Sequence, residues 1–290
     1  MNKEKGSALI LRTGPGSSIQ DQGRFLGSHY GIPSSGVMDQ KSLRWVNHVL
    51  QNSPNDAVLE ISSPGFTIQF DCTTLISIAG ATSVVKVNSK EEGNPSLIGI
   101  QAGDILEIGG FITGSRIYLG IKGGFLSPLF LGSRSFFLPV TGQSMLKKGD
   151  ILEYDSFIPF SKSPAQAKPR WSSSWLEEFD VKAFPGPDWN LLSPDQQEKI
   201  RKTEFHLSKL SNRMGIQLEE LVENTLPEMP TNPVFPGTIQ LTSGGKLLLL
   251  MRDAGVTGGY PRILQLPDES VSLLSQKSPG QSIRFIIKDF

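Results

Sequence analysis

Thirty glycines and twenty prolines cut the apolar residues of this 290-residue chain into short runs. Both residues disfavour helix interiors, and both supply the turns that join strands. The runs between them read as strands: SALILR (7–12), VLEISS (58–63), TIQF (67–70), TLISIAG (74–80), SVVKV (83–87), DILEIG (104–109), RIYLGI (116–121), DILEY (150–154), KAFPG (182–186), TIQL (238–241), KLLLLM (246–251), RILQL (262–266) and SIRFII (282–287). Several alternate as a half-buried strand requires; Ile68 and Phe70 stand against Thr67 and Gln69. Such a series predicts a mainly β chain of sandwiches or barrels rather than a parallel sheet wound with helices.

Helices are expected to be few. Residues 39–51 place Leu43, Val46 and Leu50 at spacings of three and four, with Asp39 able to cap the start. Ser193, Pro194 and Gln196 announce a second helix, a capping box with proline in its first turn, running to about Lys202. A short third helix is expected over 173–179. The stretch 159–169 is polar, rich in Ser, Pro and Lys, and reads as a linker between domains spanning 7–160 and 170–290. Two echoes recur: AGDILEIG (102–109) with KGDILEY (148–154), and SPGFTIQF (63–70) with SPGQSIRF (278–285). They fit either two related barrel halves or one turn–strand unit reused.

Lysine and arginine total 28, as do aspartate and glutamate, which argues against nucleic acid as the main partner. Cys72 is the only cysteine, so an internal disulfide is excluded; following TIQF, it is expected to be a buried structural thiol. No apolar stretch follows the start MNKEKGS, and the longest apolar run, LLLLM (247–251), is too short to span a bilayer. A cytoplasmic protein is the expectation. HExxH, CxxC, P-loop and strand-borne GxGxxG patterns are missing, and His29, His48 and His206 have no metal-ligand spacing.

Polar chemistry concentrates elsewhere. Residues 14–39 pack Gln20, Asp21, Gln22, Arg24, His29 and Asp39 among six glycines and two prolines, a shaped loop system rather than a regular element. Asp21 and Arg24 suit either a buried ion pair or an anion site in which aspartate orients the guanidinium fork. Arg134 in GSRS (132–135) and Arg213 in SNRMG (211–215) also sit among small residues, where arginine binds an oxyanion or braces a turn. In VTGGYPR (256–262), Gly258 and Gly259 permit close backbone approach to a ligand, or a tight hairpin, beside Thr257 and Tyr260.

These motifs, in order, carry a resemblance: GPGSSIQDQGR (14–24), GIPSSGVMD (31–39), the helix with Leu43, Arg44 and Asn47, VLEI (58–61), GGF (123–125), LGSRS (131–135), FPGP (184–187), SNRMG, PGTIQ (236–240) and TGGYPRI (257–263). Over nearly its full length the chain resembles the biotin-dependent carboxyltransferase family. That family includes allophanate hydrolase subunit 2, the carboxyltransferase part of urea carboxylase and, nearest in pattern, the C component of the prokaryotic ATP-dependent 5-oxoprolinase. The resemblance implies two cyclophilin-like β-barrel domains with a few short helices. It also implies partner subunits: a homologue of allophanate hydrolase subunit 1 (the B component of 5-oxoprolinase) and a 5-oxoproline-binding subunit.

The activity so implied is ATP-dependent opening of 5-oxoproline to glutamate, with ATP and magnesium shared with a partner. The alternatives are carboxyl transfer from carboxybiotin to urea-type amides and non-enzymatic regulation of the subunit 1 homologue. Asp21, Arg24, Arg213 and Tyr260 are the expected catalytic residues; Gln20, Asp39, Glu60, Arg134, Thr257, Gly258 and Gly259 are expected to bind substrate. No biotinyl attachment segment is present, so any biotin arrives on another protein. Gly255 and Val256 stand where the family often has Gln-Thr, a change placed just before TGGYP.

Overall fold

Strand pairing rather than helix packing organises the structure, a computed structural model in which residues 4–93, 95–158, 170–227 and 229–288 are described. The expected linker at 159–169 lies outside the described residues. The chain divides into two compact units, Met1–Arg24 with Ser35–Ser174, and Phe25–Ser34 with Trp175–Phe290.

The first unit contains β1 (Lys5–Arg12), β2 (Ser18–Gln20), β3 (Val58–Ile61), β4 (Phe66–Phe70), β5 (Thr74–Val87), β6 (Lys90–Glu91), β7 (Ile98–Ile100), β8 (Ile105–Ile121) and β9 (Ile151–Asp155). Its sheet runs β2-β3-β8-β4-β1-β9, and β5 pairs with β6, β7 and β8. The runs expected as separate strands at 74–80 and 83–87 are one strand, as are those at 104–109 and 116–121. Between them the β5–β8 register shifts at Gly80/Thr82, Thr82/Ser83 and Ser83/Val85. The shifts put two, one and one extra residues on β8, which bends and twists the ladder. The glycines that look like turns in the sequence therefore curl a continuous sheet.

Curling brings the sheet's two ends, β2 and β9, to either side of a seam. The segment 125–146 crosses it. Leu126 N donates to Glu153 O (2.8 Å), Phe136 N to Ile19 O (2.9 Å) and Leu146 N to Ser17 O (2.7 Å). One face of the sheet encloses the core, including Ile10, Phe66, Phe70, Ile76, Leu106, Ile117 and Tyr154. Burial of such side chains contributes about 1.5–3 kcal/mol each. Helix α1 (Gln40–Val49) covers β5 and β8 with Leu43 and Val46, which pack with Val37, Val58, Ala79 and Tyr118. Asp39 caps it as expected, Oδ1 accepting from Ser42 N at 3.0 Å, and His48 lies on its exposed side.

The second unit is a closed barrel. Its strands are β10 (Asp180–Pro185), β11 (Phe205–Ser211), β12 (Gly215–Leu218), β13 (Asn232–Pro233), β14 (Thr238–Leu241), β15 (Leu247–Leu250), β16 (Thr257–Gly258), β17 (Arg262–Gln265) and β18 (Ser282–Ile287). Closure runs β10-β17-β14-β15-β12-β11-β18, with β18 returning to β10 in parallel; β13 and β16 form a separate ribbon. The mainly β expectation, with barrel architecture and few short helices, is thus borne out.

Helix α2 (Pro194–Lys202) has the full capping box at Ser193 and Gln196. The third expected helix is a single 3-10 turn, Ser174–Glu177. Helix α3 (Asp268–Ser275) was not expected: its serines favour caps and turns, and Pro267 gives its start no side-chain cap. Packing holds it, since Ser270 through Ser275 are all buried and Ser270 Oγ donates to Lys182 O at 2.8 Å.

The AGD/KGD echo is one turn used twice in the first unit. Asp104 Oδ2 accepts from Gln101 N and Asp150 Oδ2 from Lys147 N, both at 2.8 Å. Cys72 is half-buried rather than buried, with Sγ 3.9 Å from Lys5 O. Burial, then the neighbouring Asp71 charge, push its thiol up, away from a reactive thiolate. No helix among the described residues is long and apolar enough to cross a membrane.

Candidate functional site

In the first unit the polar loop residues of 20–24 converge on 133–136. Asp21 is fully buried. Its Oδ1 accepts from Gly23 N (2.8 Å), Ser133 Oγ (2.6 Å) and Ser135 Oγ (2.7 Å), and its Oδ2 accepts from Arg134 N (2.6 Å). Its own N–H donates to Ser135 Oγ at 3.0 Å. A buried carboxylate holding four donors fixes a loop and has no face toward solvent. Arg24, 2% exposed, donates from Nη2 to Ser135 O. Gln20, also buried, donates from Nε2 to Ser18 Oγ (3.0 Å) and Phe136 O (3.3 Å). All three residues therefore grip the backbone or hydroxyls of Ser133–Arg134–Ser135–Phe136.

What they grip is a wall. A cleft of about 820 Å³ opens at the seam of the curled sheet, within the size range of small-molecule sites. Ile19 lines it from β2, Ile151, Leu152 and Glu153 from β9, and Phe130, Arg134 and Phe136 from the crossing segment. Of the expected site residues, Arg134 is the one that lines this cleft among the described residues; Ile19, Phe130, Phe136 and Glu153 were not foreseen. Glu153 hides in an alternating strand, where its outward position is the only cue. The aromatics lie in FLGSRSFF, where their spacing around Arg134 is a readable signal.

Asp39 and Glu60 lie deeper, both fully buried. Glu60 Oε2 accepts from Met38 N (2.7 Å) and Tyr118 Oη (2.9 Å), and Tyr118 Oη accepts from Asp39 N (3.0 Å). Arg116 Nε stands 3.9 Å from Glu60 Oε1. Burial, then the Glu60 and Asp39 charges, push the Tyr118 phenol well up, so it stays a neutral donor. This network joins the start of α1 to β3 and β8.

In the second unit, Arg213 makes a bidentate pair with Asp253: Nε to Oδ2 at 2.7 Å and Nη2 to Oδ1 at 3.1 Å. Asn212 Oδ1 accepts from Met214 N (2.7 Å) and Gly215 N (3.2 Å), so SNRMG is a braced turn. Thr257 and Gly258 pair with Pro233 and Asn232. A Cβ at Gly258 would sit 2.4 Å from Gln240 Nε2, so any larger residue there would have to displace the Gln240 amide. Gln240 Nε2 in turn donates to Tyr260 O at 3.3 Å, and Gly259 O accepts from Met229 N at 3.2 Å. Tyr260 is 42% exposed. Arg262, unforeseen, donates from N and Nε to Asp188 Oδ2 at 2.9 and 3.1 Å. His29 lies against Tyr30, ring centroids 3.9 Å apart and planes tilted by 44°.

The sequence profile of the carboxyltransferase domain, subdomains A and B, matches residues 30–287, and the chain belongs to that family. The chain is 29% identical over 280 residues to the C component of 5-oxoprolinase from Escherichia coli (strain K12), covering 96% of this chain and 90% of that protein. To urea amidolyase of Saccharomyces cerevisiae it is 28% identical over 304 residues, covering 96% of this chain but 16% of that protein. The crystal structure of TTHA0988 superimposes with a TM-score of 0.85 at 26% identity, over 98% of this chain and 57% of that one.

Proposed function

We propose that this chain serves as one component of an ATP-dependent 5-oxoprolinase that opens 5-oxoproline to glutamate. The observation that carries the reading is the match to the 5-oxoprolinase C component, 29% identical over 96% of this chain and 90% of that protein. Its partners are a homologue of allophanate hydrolase subunit 1 and a 5-oxoproline-binding subunit. A lactam is a poor electrophile, so coupling its opening to ATP is chemically apt. The substrate is a carboxylate, which a guanidinium recognises well.

The cleft does not fit a magnesium nucleotide. It offers one guanidinium and one exposed carboxylate, and no group of three His, Cys, Asp or Glu side chains suited to a metal occurs among the described residues. The nucleotide and magnesium are assigned to the partner subunits. This chain contributes a fixed wall, an arginine and an apolar surface.

The carboxyltransferase description of the family and the likeness to urea amidolyase favour a second reading, carboxyl transfer from carboxybiotin to a urea-type amide. The two separate in one assay. With partner subunits and ATP, adding this chain is expected to switch on glutamate release from 5-oxoproline. Release that is unchanged when the chain is left out contradicts the first reading. Carboxybiotin consumption with urea in its place establishes the second.

A further inference from the structure

We infer that the seam cleft of the first unit is a binding site for an organic monoanion, with its carboxylate on Arg134 and its apolar body between Phe130, Phe136 and Ile151. Three observations meet there. The first is charge. Arg134 is part-buried, and among the described residues its guanidinium has one protein acceptor, Ser127 O, reached by Nη1. Its other donors are left for a ligand. A guanidinium held partly out of water without a carboxylate partner attracts an anion, and its planar fork suits one with two oxygens.

The second is preorganisation. Asp21 fixes the backbone N–H of Arg134 itself and both flanking serine hydroxyls. Gln20 and Arg24 hold the next carbonyls, at Phe136 and Ser135. Three buried polar side chains thus hold four consecutive residues, so the backbone that carries the arginine is set before any ligand arrives.

The third is strain at the same place. Phe130 and Ser133 exchange backbone hydrogen bonds of 2.8 and 3.2 Å around a two-residue turn. Both turn residues are left-handed, Leu131 at φ 51° and Gly132 at φ 77°. Glycine takes that conformation freely, but leucine does so at a cost of about 1–2 kcal/mol. Strain of this kind collects where a chain must present something. Here it presents Phe130 at the cleft and leaves Leu131 40% exposed.

Glu153 is the cleft's other charge; it is exposed, and water screens its repulsion of an anion. The site does not depend on which amide the assembled enzyme opens.

Calorimetric titration of the full chain tests this, with octanoate as the anionic probe and octanamide as its neutral match. Octanoate is expected to bind roughly ten- to a hundredfold more tightly than octanamide, the span of one charge-assisted contact. Arg134→Gln should abolish the preference, Arg134→Lys should retain part of it, and Glu153→Gln should increase it. Equal affinity for the two probes, no binding of either, or a preference that survives Arg134→Gln would each overturn the assignment. The titration needs no partner protein and no turnover, so its failure is separate from failure of the 5-oxoprolinase assay.

Discussion

At the scale of single residues, acidic groups that look reactive in the sequence are builders in the structure. Asp21 holds Gly23, Ser133, Arg134 and Ser135, while Glu60 holds Met38 and Tyr118. Asp21→Ala orphans four donors, three of them buried, and is expected to destabilise the first unit by about 3–5 kcal/mol in chemical denaturation. A loss below roughly 0.5 kcal/mol, as for an exposed side chain, would contradict the clamp. The second unit carries a titrating pair. Glu220 Oε1 lies 2.7 Å from His206 Nδ1, and this hydrogen bond raises the imidazole above its usual range. Burial raises Glu220, but the backbone N–H and ring of His206 outweigh it and hold the carboxyl low. A raised histidine contributes stability that is present below its unfolded pKa and lost as pH rises through the folded one. A depressed glutamate contributes stability present above its unfolded pKa and lost as pH falls through the folded one. The pair therefore stabilises between those limits. The melting-temperature gap between wild type and His206→Gln should peak in weakly acidic solution and close in alkali; a gap independent of pH would exclude the pair.

At the scale of elements, the sequence is readable where one local rule decides the outcome. The caps at Asp39 and Ser193 were visible because capping needs only a side chain three residues from an N–H. The buried stripe of α1 and the alternation of β4 were visible for the same reason. What was hidden depends on distant partners. The β5 and β8 strands run through glycines because each is the other's ladder. The serine-rich α3 is helical because its surroundings bury it. At the site, GSRS and SIQDQGR were legible as polar clusters, but not as clamp and clamped, since more than a hundred residues separate Asp21 from Ser133. The pairing of Arg213 with Asp253 was hidden likewise, because the two lie 40 residues apart.

At the scale of the whole molecule, each unit manages its sheet edges differently. The second closes seven of its strands into a barrel and so removes the edges of that sheet. The first leaves β2 and β9 apart and bridges them with 125–146, and the gap that remains is the cleft. A ligand site thus arises where barrel closure is incomplete, on a wall fixed from behind by the polar loop that dominates the N-terminal sequence. The central claim is that the buried Asp21 carboxylate shapes the wall presenting Arg134. A double-mutant cycle on octanoate affinity tests it most directly. Ser133→Ala removes one donor from the clamp, the 2.6 Å contact to Asp21 Oδ1. It should weaken binding in the wild-type background and have no effect once Arg134→Gln is in place. Equal weakening in both backgrounds would contradict the claim, because the clamp would then act on the fold at large and not through Arg134.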